Sequence, residues 1–161
     1  MAGFEKVRFE FLETDTSRLA SELRSLLDAA DGSWVNLEPI VDDEAVDQLA
    51  VRRGMAGWMS GRGSDLPYST WVAPLRGRRT TAASLGIQHG AGPKMSNALT
   101  EAGIVPPDGW VKRQDHSKRG LVYEHTGAID VEATVAFVVA ATRHLCPVEL
   151  DGRWSAVVHR S

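Results

Sequence analysis

The sequence carries one cysteine, Cys146, so no intramolecular disulfide can form and no thiolate cluster can hold zinc. A fold that stands on its own core in a reducing compartment is expected. Long apolar runs are also missing. The longest candidate, 131–145, is broken by Glu132, Thr134, Thr142, Arg143 and His144, whereas a membrane span needs roughly 18 apolar residues. The opening MAGFEKVRFEFLE alternates apolar and charged side chains and lacks the apolar stretch of about 7–15 residues that a secretion signal requires. A cytoplasmic protein without a membrane partner is therefore expected. No Gly-x-Ser-x-Gly elbow, P-loop or dinucleotide glycine pattern occurs.

The 161 residues are 43 % hydrophobic and 24 % charged, close to globular averages and far from disordered compositions. One α+β domain spanning 1–161 is expected. Val7, Phe9 and Phe11 alternate with charged neighbours as in a half-buried strand. Leu19, Leu23, Leu26, Leu27 and Ala30 recur at helical spacing, with Thr16 or Ser17 as N-cap and Gly32 as the stop. Trp34 to Ile40 reads as a strand, Asp42 to Arg53 as a short helix, and Met55 to Asp65 as a glycine-punctuated loop. Thr70 to Leu75 reads as an edge strand because of Pro74. A helix follows from Pro93 to Ala102. Trp110 to His116 and Leu121 to Thr126 form a hairpin that sets Arg113 opposite Glu124. A helix capped by Asp130 and a strand from Trp154 to His159 complete the chain.

Strand, helix, Asp-Gly turn and Trp-led strand occur at both ends, as DGSWVNL from Asp31 and DGRWSAV from Asp151. The segments 7–40 and 120–160 thus form a possible internal repeat of β-α-β-like units. Their helices would share one face of a mixed or antiparallel sheet, resembling ferredoxin-like folds, around a central loop, helix and hairpin insertion.

Charge is unevenly placed. Residues 1–75 hold 7 Lys/Arg against 13 Asp/Glu, 76–119 hold 8 against 3, and 120–161 hold 3 against 5. A basic centre between acidic flanks points to a local anion site. Within it, the glycine-rich loop 86–94, GIQHGAGPK, leads into the helix starting at Pro93. Free amides and a positive dipole end at a helix front suit a phosphate or carboxylate. Gly90, Gly92 and Lys94, with Arg78, Arg79, Lys112 and Arg119, are the candidate ligand-binding residues. A binding or regulatory module for a phosphate-bearing ligand or an acidic protein segment is the first expectation, with the basic hairpin 112–119 contributing. No cofactor is implied.

Two other readings compete. A small transferase or hydrolase would use His89 or His116 as general base, with Asp115 beside them. A winged helix-turn-helix regulator would take Thr80 to Ile87 as its first helix and Pro93 to Ala102 as its second, with nucleic acid as partner and a homodimer as the assembly. The five histidines, His89, His116, His125, His144 and His159, show no metal-ligand spacing. In the hairpin, His116 and His125 are expected on one face and Asp115 on the other. Cys146, between Leu145 and Pro147, reads as a buried thiol. Trp34 and Trp154 read as core, while Trp58 and Trp71 flank the glycine-punctuated loop 55–65 and read as core or as lining a pocket or partner surface.

Overall fold

The computed structural model describes residues 5–49, 66–77 and 79–161. In chain order these form β1 (Glu5–Leu12), α1 (Ser17–Ala29), β2 (Trp34–Pro39), α2 (43–49), β3 (Tyr68–Val72), β4 (Ala83–Gln88), α3 (Met95–Glu101), β5 (Val111–His116), β6 (Gly120–His125), α4 (Val131–Leu145) and β7 (Arg153–Arg160). The strands make one seven-stranded sheet in the order β1-β7-β2-β3-β4-β6-β5, and every neighbouring pair is antiparallel.

Period-two alternation sorts the side chains into two layers. Val7, Val158, Val35, Trp71, Leu85 and Tyr123 pair in one row across six strands. All but the half-buried Val7 are buried. The adjacent row, Arg8, Val157, Asn36, Thr70, Gly86 and Val122, faces the other way. Helices α1 and α4 cover the apolar face. Leu19, Leu23 and Leu26 of α1 and Val131, Val135, Val138 and Ala141 of α4 join the strand residues in one core. Each such leucine stabilises the fold by about 1.5–3 kcal/mol through burial. Tyr123 meets the Phe137 ring edge-on at 5.6 Å between centroids, and Ser69 bonds Thr142 at 3.1 Å.

Helix α1 starts where Asp15 accepts from the amide and hydroxyl of Ser17. It stops where Ala30 turns left-handed, at φ 48°. Thr16 holds the N-cap position as expected but makes no side-chain capping bond, Asp15 meeting the first amide in its place, and the stop falls two residues before Gly32. Helix α4 follows its expected limits, with Asp130 accepting from the amide of Ala133 at 2.9 Å.

Strands β1 and β2 run parallel with β7 inserted between them, joined by α1 over the apolar face. Strands β6 and β7 are likewise parallel and joined by α4. The helices thus share one face as expected, but the sheet is larger than a ferredoxin-like one and that finer assignment does not carry over. In the two echoed segments, Trp34 pairs with His159 and Pro39 with Trp154, so the two tryptophans point to opposite faces. Trp154 is fully buried, stacked at 6.2 Å on Phe11, whereas Trp34 is half-buried and stacked on His159 at 4.7 Å.

Two local expectations are corrected. The segment proposed as a first DNA-binding helix, Thr80 to Ile87, instead contains β4. Its Ala83, Leu85 and Ile87 point into the core at strand spacing. Strand β3 is central, because Pro74 lies beyond its end at Val72 and removes no ladder donor. Trp71 is core, at 2 % exposure. The loop Met55 to Asp65, with Trp58, and Arg78 lie outside the described residues.

Candidate functional site

The expected anion site lies where β4 ends and α3 begins, and its geometry differs from an open helix front. Helix α3 has seven residues, and Lys94 precedes it in a left-handed conformation at φ 58°, so Pro93 stands outside the helix. Strand β5 directs Asp115, the partner of Leu121, toward this end. One Asp115 oxygen accepts from the amide of Met95 at 3.2 Å. The other accepts from the amide and hydroxyl of Ser96, at 3.0 and 2.7 Å. Lys112 donates to the Ser96 hydroxyl at 2.8 Å. The chain's own carboxylate thus occupies the amides that an external anion would need.

Burial alone would raise the Asp115 pKa. The hydrogen bonds from Ser96 and Met95 and the charge of Lys112 outweigh it and hold the carboxyl below its ordinary value. Behind Asp115, burial pushes the Tyr123 hydroxyl up to about 12, and the nearby carboxylate adds to the effect. His89 is fully buried, and its pKa is lowered by burial against the opposing charge of Asp115. Its Nδ1 accepts from the amide of Ala91 at 3.3 Å, and its Nε2 has no hydrogen-bond partner among the described residues. The neighbouring Gly90 and Gly92 are buried. This group is a packed polar interior beneath the sheet end.

The hairpin turn is held from several sides. His116 Nδ1 accepts from the amides of Lys118 and Arg119 at 3.0 and 3.3 Å. Gln88 and Gln114 both donate to the Arg119 carbonyl, at 2.9 and 3.1 Å. Gly120, at φ +75°, sits so close to β4 that a Cβ would lie 2.2 Å from the Ile87 carbonyl oxygen. Lys94, Lys112, Lys118 and Arg119 are exposed. None of them forms an ion pair among the described residues. Arg113 does, reaching Glu124 at 2.9 Å. A register shift between Lys112 and Gln114 places Val111 directly opposite Glu124, so Arg113 reaches it diagonally.

Several expected groupings do not form. Arg79 precedes β4 while Gly90, Gly92 and Lys94 follow it, so a six-residue strand of roughly 20 Å separates them. His116 is opposite Gly120 and faces away from the core, whereas Asp115 and His125 share the core face. His125 is itself structural. Its Nδ1 accepts from Gly127, its Nε2 lies 3.2 Å from the Asp108 carbonyl, and Trp110 meets its ring edge-on. Cys146 is half-buried, and burial raises its pKa.

A cleft of about 370 Å³ opens at the other end of β4, bordered by Asp28, Arg76, Thr80, Thr126 and Ile129. Its lining includes neither Lys94 nor any residue of the basic hairpin. No group of three or more metal-ligating side chains occurs among the described residues, and no described helix is long and apolar enough to cross a membrane. Comparison with known protein families, curated proteins and solved structures returns no match.

Proposed function

We propose that this chain is a binding module whose basic hairpin tip receives an acidic segment of a partner protein. One observation carries the reading: Asp115, the acid nearest the tip in sequence, is turned inward to cap α3. Lys118 and Arg119 face solvent and form no ion pair among the described residues, while the charge of Lys112 is directed at Asp115. The turn that presents Lys118 and Arg119 is fixed through its main chain by His116, Gln88 and Gln114. A preordered cationic ridge loses little conformational entropy on meeting an extended acidic chain.

Other readings have less support. A small phosphate would need the α3 amides, which Asp115 fills, or the backbone at Gly90 and Gly92, which is buried. A general base at His89 would have no solvent access, and His116 already accepts two backbone hydrogen bonds through Nδ1.

The test is fluorescence anisotropy with labelled polyglutamate at low and high salt, with inorganic phosphate and duplex DNA in parallel. Polyglutamate should bind, weaken with salt, and lose binding about tenfold or more in Lys118→Glu/Arg119→Glu with an unchanged melting temperature. Absence of binding at low salt, or binding indifferent to the double reversal, overturns the reading. Preference for DNA at equal charge would move it to the nucleic-acid class.

A further inference from the structure

The sheet has two terminal strands, and they end it differently. Strand β5 carries the register shift between Lys112 and Gln114 and exposes Lys112 and Arg113, features that discourage another strand from adding to an edge. Strand β1 pairs with β7 over eight consecutive residues without interruption, from Glu5 to Leu12. Its other side faces no described strand.

The direction of its main-chain groups follows from two bonds. The Glu13 amide donates inward to the Gly152 carbonyl at 2.9 Å, and the Leu12 carbonyl accepts from Asp15 on the opposite side at 2.9 Å. By alternation, the odd residues of β1 point their amides and carbonyls at β7, while Lys6, Arg8 and Glu10 point theirs outward. The side chains of these three are exposed on the face away from α1 and α4.

We propose that β1 is a self-association edge, at which two copies of this chain pair antiparallel about a two-fold axis through Phe9. The charges select the register. With Phe9 on the axis, Arg8 stands opposite Glu10 of the second copy and Glu10 opposite its Arg8, both in hydrogen-bonded positions. The pairing ends at Val7 and Phe11, because the outward carbonyl of Leu12 already accepts from the Asp15 amide of its own chain. Moving the axis to Arg8 or Glu10 sets that residue against its own copy, and moving it to Val7 sets Lys6 against Arg8. On the helix side, Phe9 meets Phe9 and Val7 meets Phe11, with Arg18 over the Phe9 ring at 4.2 Å. Within its own chain Glu10 also lies in the field of Arg153, so the test must separate the two partners. The result is an isologous dimer with one sheet continuous through both copies.

Sedimentation velocity of the full chain over a range of concentrations decides it. The wild type should dimerise with increasing concentration. Arg8→Glu and Glu10→Arg should each raise the dimer dissociation constant about tenfold or more, because each sets like charges across the axis. An equimolar mixture of the two variants should regain dimers, since the acidic edge of one meets the basic edge of the other. A change acting only through Arg153 within one chain cannot be rescued in trans. Circular dichroism melts check that both variants fold, and Arg8→Pro, which removes one outward amide, should also be monomeric. A wild type monomeric throughout, single variants that still dimerise, or a mixture that stays monomeric would each overturn the proposal.

Discussion

Glu13 and Arg143 lie 130 residues apart in sequence and meet at 2.6 Å. The second Glu13 oxygen accepts from the indole of the buried Trp154 at 3.2 Å, and Arg143 also donates to the Leu150 carbonyl at 3.2 Å. One carboxylate thereby links the end of β1, the last turn of α4 and the start of β7.

Replacing Glu13 with alanine leaves the Trp154 N–H without its acceptor and Arg143 without its counter-ion. A loss of about 1–2 kcal/mol is expected in urea unfolding, at the lower end of a buried charged bond because both partners are partly exposed. A loss under about 0.3 kcal/mol would mean that water replaces the carboxylate freely.

Asp115→Ala uncovers the front of α3, and about 1–2 kcal/mol of stability should go with it. The wild-type carboxyl titrates below its ordinary value of 3.8. Its contribution is therefore complete above that value and is lost as pH falls through the lower folded pKa. Stability measured from pH 5 downward should fall less steeply in Asp115→Ala than in wild type, and parallel curves would contradict the cap.

His89 produces a dependence at higher pH. Its folded pKa lies below the ordinary 6.5, so the unfolded chain takes up the proton first. The stability held above that pH then falls as the solution is acidified below it. In His89→Leu this segment of the profile, below the ordinary value of 6.5, should flatten. A profile identical to wild type would show that the ring protonates as easily folded as unfolded.

The two sheet glycines should respond oppositely to alanine. Gly120 has a positive φ and no room beside the Ile87 carbonyl, so Gly120→Ala should lose more than about 1 kcal/mol. Gly86, in the middle of β4, has its nearest neighbours 3.9 Å from a built Cβ. Gly86→Ala should gain roughly 0.4–1 kcal/mol by restricting the unfolded chain. A loss at Gly86 would contradict the space that the sheet leaves there.

Much of the architecture was legible, because its signals are local. The Leu19, Leu23 and Leu26 stripe, the Asp130 cap and the alternation of Phe9 and Phe11 each need only a few neighbouring residues to be read. Strand β4 was misread because Ala83, Leu85 and Ile87 sit among small residues and a glycine, where a short apolar run fits a helix or a strand equally well. The candidate site was legible in its members but not in their arrangement. Asp115 and the loop 86–94 both stood out, yet that the one fills the front of α3 depends on pairing between β5 and β6. A first turn of α3 without an acidic residue was the available hint that its cap comes from elsewhere. The Glu13 link to Arg143 and Trp154 has no sequence signature, since its three residues belong to segments joined only by the sheet.

The place of β7 between β1 and β2 bears on how the chain matures during translation. Until residues 153–160 have left the ribosome, β1 has no strand to join and β2 has only β3. The Val7, Phe9 and Phe11 side chains must wait without their ladder while the rest of the polypeptide is made. A nascent chain halted after α4 therefore offers the cell two unpaired edges in place of a nearly finished sheet, and the emergence of β7 closes both at once.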